Sequence, residues 1–182
     1  MNLYVKYLRV KIHTTQRDAI ARVRAQWKAE RPDLDTRPME TIGRILRIQF
    51  LAHARIRRLL QRHGIDAGGF DVLATLRRSG SPYRMTPTGL YTECVLTSGA
   101  MTNRIDVLEQ AELVTRRPDP SDRRGTLIEL SKEGMALVDR AMKEHMEGEA
   151  AMAAHLTKEE QRELAALLQK LLIGMEGDHE RA

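Results

Sequence analysis

The sequence predicts a mainly α-helical protein that carries one small β-hairpin near its middle. Apolar residues recur at helical spacing toward both ends of the chain. Between these ends lie short segments separated by Pro, Gly and Ser, and two stretches of alternating apolar residues flank an arginine-rich turn. A chain of 182 residues, 42% of them hydrophobic, is long enough for one compact domain with appended helices.

The composition also limits where the protein works. No apolar run approaches the length that crosses a bilayer, and the first twelve residues are interrupted by Lys6, Arg9 and Lys11, unlike a signal peptide. The single cysteine excludes an internal disulfide. We therefore expect a cytoplasmic protein with no membrane partner. Residues 1–14 form an N-terminal extension with three open interpretations: an authentic extension, a start site placed too far upstream, or a disordered tail.

The charge of the chain is unevenly distributed. The net charge is +5, yet residues 1–62 hold fifteen Lys and Arg against five Asp and Glu, while residues 131–182 hold seven against eleven. Two interpretations stay open: the two ends pack together, or each presents a solvated face. Residues 71–130 are balanced, so composition by itself does not indicate a nucleic-acid partner.

The N-terminal helices are predicted within residues 15–64. One helix runs from Thr15 to Glu30 and is ended by Arg31-Pro32-Asp33. Pro38 suits the first turn of a second helix, which ends at His63-Gly64. Its apolar positions recur at helical spacing and are Met39, Ile42, Ile45, Leu46, Ala52, Ile56, Leu59 and Leu60.

Shorter elements follow in residues 65–134. A helix over Gly69–Arg78 precedes a second that Thr86-Pro87 opens and that ends near Val95. Thr97-Ser98 caps a third, which runs from Gly99 to about Gln110. Two strands are predicted at 113–116 and 126–130, and the two prolines and the glycine between them predict a hairpin loop.

The chain returns to long helices in residues 135–182. Ser131 caps a helix that runs to about His155, and Thr157 with Glu160 forms a capping box for the next one. That last helix carries an apolar stripe made by Leu164, Leu167, Leu168, Leu171 and Leu172. We expect the N-terminal helices and these C-terminal helices to form a dimer interface.

The order helix, turn, capped helix and hairpin predicts a winged helix-turn-helix that binds double-stranded DNA. A helix with small and polar residues in its first turns can enter the major groove and reach base edges. The residues predicted to do so are Ser98, Thr102, Asn103 and Arg104. Arg123 and Arg124, on the hairpin, can reach phosphates or a narrow minor groove.

The segment "SGAMTNRIDVLEQAELVTRRPDPSDRRGTLIELSKEG" (98–134) resembles the recognition helix and wing of the MarR family of transcriptional regulators. The most specific part is the wing motif "DPSDRRG" (119–125), and the likeness extends over roughly residues 35–173. The resemblance implies a homodimer with entwined terminal helices and two winged lobes that read a palindromic operator. It also implies that Asp122 orients the wing arginine, Arg124.

A narrower resemblance points to the urate-responsive subgroup of that family. The subgroup's pocket pattern falls on Trp27, Asp71, Arg78 and Arg104. The resemblance implies that Trp27 and Arg78 contact an anionic purine, that the anion repels Asp71, and that Arg104 passes the shift to the recognition helix. It thus implies a repressor that urate or a related purine releases from DNA.

The chemistry of these residues is compatible with that ligand. Asp71 and Arg78 are seven residues apart, which is about two helical turns. They therefore lie on one helix face but too far apart for the direct ion pair that residues one turn apart can form. An indole N–H and a planar guanidinium suit a flat, oxygen-rich anion. The alternative is a core tryptophan together with ordinary surface ion pairs.

Other sites and functions have less support. Cys94 could be a peroxide sensor, but its apolar neighbours favour packing. The six histidines show no H-x₃₋₅-H spacing, and no Walker loop, G-x-G-x-x-G or local Ser-His-Asp grouping occurs, so we expect no metal, no cofactor and no catalytic residue. The Arg55, Arg57, Arg58 and Arg62 side chains are interpreted as a solvated helix face rather than a binding patch. Alternative functions are a MarR-type regulator of phenolic carboxylates such as salicylate, an architectural DNA-binding protein without an effector, and, least supported, an enzyme.

Overall fold

The computed structural model describes residues 17–94, 101–179 and 181. Its helices are α1 Ala19–Glu30, a π-helical turn Met39–Gly43, α2 Arg44–Arg62, α3 Ala67–Arg78, α4 Pro87–Glu93, α5 Met101–Gln110, α6 Lys132–Ala153 and α7 Lys158–His179. Its strands are β1 Arg84–Met85, β2 Val114–Asp119 and β3 Asp122–Leu130. The predicted fold class, mainly helical with a small β-element, is confirmed. In the described part of the chain, no helix combines the length and the apolar character that crossing a membrane requires.

The chain divides into two compact units, with the boundary between Leu51 and Ala52. In the first unit, α1 begins later than the predicted Thr15, because the Asp18 carboxylate caps it by accepting a 2.7 Å hydrogen bond from the Ala21 N–H. This backbone bond, followed by an ion pair with Arg44 at 2.8 Å, lowers the pKa of Asp18. The helix predicted from Pro38 begins as the π-helical turn, in which a Cβ on Gly43 would lie 3.3 Å from Ile20.

In the second unit, the side chains predicted to cap the N-termini of helices form those capping bonds. Thr86 accepts a hydrogen bond from the Gly89 N–H at 3.0 Å, and Ser131 accepts one from the Gly134 N–H at 2.8 Å. Thr157 and Glu160 form the predicted reciprocal capping box before α7. These bonds satisfy backbone N–H groups that have no partner inside their helices. The starts of α4, α6 and α7 are therefore fixed locally.

The core of the second unit lies between α3 and the elements around it. Sixteen apolar residues are buried there. Those with no exposed surface are Leu60, Val72, Leu73, Leu76, Leu90, Val114, Ile128 and Ala141. They come from α2, α3, α4, β2, β3 and α6. Helices α4 and α5, which we call the reading head, therefore share one core with the base of the hairpin and with the helices on either side.

Strands β2 and β3 form the hairpin, and β1 pairs with β3 to complete a three-stranded antiparallel sheet in the order β1-β3-β2. The predicted loop between its strands is too long, because Asp119 pairs with Asp122 across a two-residue turn. The register shifts between Pro118 and Asp119, so Arg123, Arg124 and Gly125 have no paired residue on β2. Pro118 is tolerated because β2 is an edge strand. In the turn, the Asp119 carboxylate accepts bonds from the N–H and the hydroxyl of Ser121, at 2.8 and 2.7 Å. A Cβ on Gly125 would lie 2.9 Å from that of Asp119, so glycine permits the close approach.

We predict that Gly134→Ala destabilises the protein by roughly 1–3 kcal/mol, the cost of overpacking a close contact. A Cβ on Gly134 would lie 2.0 Å from the backbone carbonyl oxygen of Leu113, which cannot move aside as a side chain does. Gly148→Ala, on the same helix, is the matched control. Its Cβ would meet Leu59 at an ordinary 3.7 Å, so it should stabilise α6 by about 0.5–1 kcal/mol. Urea unfolding of both variants measures the difference, and equal midpoints would contradict the packing at Gly134.

Candidate functional site

Helix α5 has a buried face and an exposed face. Met101, Ile105 and Leu108 are buried in the core, and this leaves the Thr102 and Asn103 side chains exposed. Ser98, the remaining predicted base-contacting residue apart from Arg104, lies outside the described residues. The exposed polar turn at the start of α5 has the composition that reads base edges in a major groove.

Arg104 differs from its neighbours because its guanidinium lies against α3. A Cβ on Gly68 would be 2.4 Å from the Arg104 Nε and 2.8 Å from its Cζ, so the absence of a side chain at Gly68 makes room for the arginine. Asp71, which is 9% exposed, follows Gly68 by one helical turn. Of the two roles predicted for Arg104, this position favours a link between α3 and the recognition helix over a direct base contact.

Arg78 lies at the other end of α3 and connects it to α4. Its Nη1 donates to the Thr75 hydroxyl at 3.1 Å, and its Nη2 donates to the backbone carbonyl of Glu93, the last residue of α4. The Thr75 hydroxyl is also 3.6 Å from the Cys94 sulfur. A pocket of about 200 Å³ opens beside these groups. Its lining residues are Thr75, Arg78, Ser79, Met85 and Glu93.

The Cys94 thiol is influenced by the charges of three of the four predicted ligand residues. Burial raises the pKa of this thiol and the Asp71 carboxylate raises it further, while the hydrogen bond to Thr75 and the charges of Arg78 and Arg104 lower it. The net shift is upward, which keeps the sulfur as a thiol and disfavours the peroxide-sensor interpretation. Asp71, Arg78 and Arg104 thus act electrostatically on one buried position.

The fourth predicted ligand residue, Trp27, belongs to the first unit. Its side chain is 47% exposed, which is inconsistent with the alternative of a core tryptophan. An exposed indole keeps both its ring face and its N–H available to a partner. The described residues were also searched for metal-ligating clusters. Among them, no group of three or more His, Cys, Asp or Glu side chains could hold a metal ion.

The wing arginines lie on β3, where Arg123 and Arg124 are both exposed. The Asp122 carboxylate accepts a hydrogen bond from the backbone N–H of Arg124 at 2.9 Å. Asp122 therefore orders the backbone that carries Arg124, at the irregularity where the register of β2 and β3 shifts.

Sequence reasoning missed Arg116, which connects the recognition helix to the wing. From β2 its guanidinium binds the Asp106 carboxylate at 2.5 Å and the Glu109 carboxylate, and its backbone N–H donates to Glu109 at 3.2 Å. The bond to Asp106, followed by that to Glu109, raises the pKa of Arg116. The sequence does carry one signal for this contact. Asp106 and Glu109 are three residues apart, so their carboxylates lie on one face of α5 and can bind the same arginine.

Comparison with known proteins places these features in a family. A model of the MarR family matches residues 65–126. The transcriptional regulator PecS of Dickeya dadantii (strain 3937) is 39% identical over 143 residues, which are 79% of this chain and 86% of PecS.

Solved structures show the same fold. The DNA complex of Sco3205, a MarR family transcriptional regulator from Streptomyces coelicolor, has a TM-score of 0.68 and 24% identity, covering 78% of this chain and 89% of that one. Bordetella bronchiseptica BpsR, whose structure concerns regulation of DNA binding by 6-hydroxynicotinic acid, has a TM-score of 0.64 and 23% identity, covering 73% and 94%.

We predict that Arg116→Gln lowers DNA affinity by roughly 5- to 30-fold, because it uncouples the wing from the recognition helix at a cost of about 1–2 kcal/mol. Arg117→Gln is the matched control. It removes the same charge from the same strand, and the ion pair that it breaks, to Glu129, is a loose one at 3.7 Å. Fluorescence anisotropy with labelled DNA measures both, and equal losses would mean that charge alone explains the effect of Arg116.

Proposed function

We propose that this chain is a repressor that urate or a related purine releases from DNA. The chain belongs to the MarR family and is a DNA-binding transcriptional regulator rather than an enzyme. In this proposal it binds a palindromic operator as a homodimer. The observation that carries the proposal is the placement of three charged side chains along α3, which carries Asp71 and Arg78 and is contacted at Gly68 by Arg104 of α5. Charged side chains at the joint between the DNA-reading helix and its support suit a ligand-controlled switch.

DNA recognition in this proposal divides between α5 and the wing. The exposed Thr102 and Asn103 read base edges, and Arg123 and Arg124 contact phosphates or the minor groove. Arg116 holds the two elements in a set relation through its bonds to α5. Both elements can then enter the grooves of one duplex without first being ordered.

The homodimer is supported by the apolar surface of α7. Several large apolar side chains of this helix are at least 40% exposed in the single chain. They are Leu164, Leu167, Leu168, Leu172, Ile173 and Met175. A contiguous apolar surface of this kind marks an interaction site. A twofold dimer would bury it against a second copy and would present two reading heads to a palindrome.

The chemistry of the pocket supports an anionic, planar effector. The Arg78 guanidinium is a flat fork of donors, which matches adjacent acceptor atoms on a planar anion. The volume of about 200 Å³ lies below the roughly 300 Å³ at which pockets for drug-sized ligands begin, so a small ligand is favoured. Urate and salicylate both meet these requirements. The second candidate, a phenolic carboxylate, is favoured by BpsR, a protein of the same fold whose structure concerns a small hydroxylated aromatic acid.

We predict that Arg124→Ala weakens binding to all DNA sequences and lowers the slope of log affinity against log salt by roughly one unit. Its exposed guanidinium supplies charge rather than base recognition. Thr102→Ala and Asn103→Ala should instead change the preference among operator variants. Arg140→Ala, an exposed arginine on α6, is the control for a general loss of charge. An Arg124→Ala salt slope identical to that of wild type would contradict the role of the wing.

We predict that urate weakens operator binding by roughly 5- to 150-fold, a coupling of about 1–3 kcal/mol. Trp27→Phe and Arg78→Ala should blunt this response because they remove donors to the anion. Asp71→Asn should leave urate bound yet less able to release DNA, since the repelled charge is gone. Titration of urate and, separately, salicylate against a labelled operator decides between the two effectors. Release that is undiminished in both Trp27→Phe and Arg78→Ala would place the effector elsewhere.

A further inference from the structure

The guanidinium of Arg78 holds the end of α4 against α3. One of its terminal nitrogens donates to the Glu93 carbonyl and the other to the Thr75 hydroxyl at 3.1 Å. Thr75 is 1% exposed, so the hydroxyl that anchors the guanidinium is fixed in the core. The contact therefore joins an ordered side chain of α3 to the last residue of α4.

The Glu93 carbonyl is a sensitive point in the reading head. The last carbonyls of a helix have no partner inside the helix, and they carry the negative end of its dipole. An arginine that donates to such a carbonyl satisfies it and offsets the charge. Cys94 closes α4 with its N–H bonded to the Leu90 carbonyl at 2.9 Å, and α5 begins at Met101. Any movement of this helix end is thus only a few residues from the DNA-reading helix.

We propose that Arg78 is a latch that the effector opens by competing with the Glu93 carbonyl for the guanidinium. This rests on the proposed function, in which a small anion binds at Arg78. The pocket of about 200 Å³ is lined by both Arg78 and Glu93, so a bound anion lies next to the bond that it would replace.

Competition follows from the geometry of the guanidinium. The guanidinium has five N–H groups, of which Thr75 takes one on the first terminal nitrogen and the Glu93 carbonyl takes one on the second. An anion in the pocket lies beside both acceptors and competes with them for the guanidinium. A charged acceptor forms a stronger hydrogen bond than a neutral carbonyl does. The anion therefore displaces the Glu93 carbonyl, the end of α4 loses its cap, and the start of α5 can shift.

Hydrogen exchange of α4 tests the latch without DNA. Arg78→Lys keeps the positive charge but lacks the two-pronged donor. In this variant without effector, the amides at the end of α4, the Cys94 N–H above all, should exchange roughly tenfold faster, as expected from losing a bond to a charged group. Thr75→Val, which removes the anchor of the guanidinium, should give a smaller acceleration. Unchanged exchange in both variants would overturn the latch.

Arg77→Lys is the matched control, because it is the neighbouring arginine on the same helix. Arg77 binds Asp139 of α6 at 2.8 Å and lies over the Tyr83 ring at 5.2 Å. It should leave the exchange of α4 at the wild-type rate. Equal acceleration in Arg77→Lys and Arg78→Lys would show a general loosening of α3, which overturns a latch specific to Arg78.

Urate and salicylate provide the effector arm. Either one, once a thermal shift shows that it binds wild-type protein, should speed exchange of α4 in wild type but add nothing in Arg78→Lys. A thermal shift without faster exchange of α4 overturns the latch and leaves the proposed effector response standing. The absence of any thermal shift with both compounds overturns the effector site and, with it, the opening of the latch.

Discussion

The burial of α3 constrains the whole second unit, because this helix serves both the core and the candidate site. Eight of its twelve residues are buried, and they include two polar ones, Asp71 and Thr75. Apolar side chains such as Leu73 and Leu76 supply the area whose removal from water stabilises the fold. Polar groups buried among them must be satisfied, which ties the helix to specific partners rather than to generic packing.

Charged side chains of the candidate site lie at both ends of α3. Near its start, Arg104 of α5 lies against Gly68, and at its end Arg78 contacts the last residue of α4. The two arginines thus join the same helix to the two helices of the reading head. In the proposed function, a ligand that changes the charge balance along α3 acts on both contacts at once, because a packed core transmits small shifts rather than absorbing them.

Local chemistry was predictable and long-range contacts were not. The caps at Thr86, Ser131 and Thr157 were correct because a capping side chain and its N–H lie within three residues. The hairpin was predicted too short, since its prolines suggested a loop, whereas an edge strand tolerates Pro118 and a side chain closes the turn. Strand β1 has only two residues and depends on pairing with β3, so the local sequence has no strand pattern from which β1 could be predicted. The candidate ligand residues Trp27, Asp71, Arg78 and Arg104 are named by the resemblance alone, and of these Arg78 lines the pocket. Arg116 was missed because its acidic partners are on another element.

The position of the DNA-reading surface follows from two kinds of restraint that differ in strength. The apolar face of α5 is buried, and such packing is insensitive to small ligands. The contacts of Arg78 are polar and border a small pocket, so a charged ligand can exchange them at little cost to the core. In the proposed mechanism, regulation needs no unfolding of the reading head, only a change in the acceptor that Arg78 faces. Because a ligand shifts such an equilibrium only by its preference for one state, the size of the response measures how much more strongly it binds the opened arrangement.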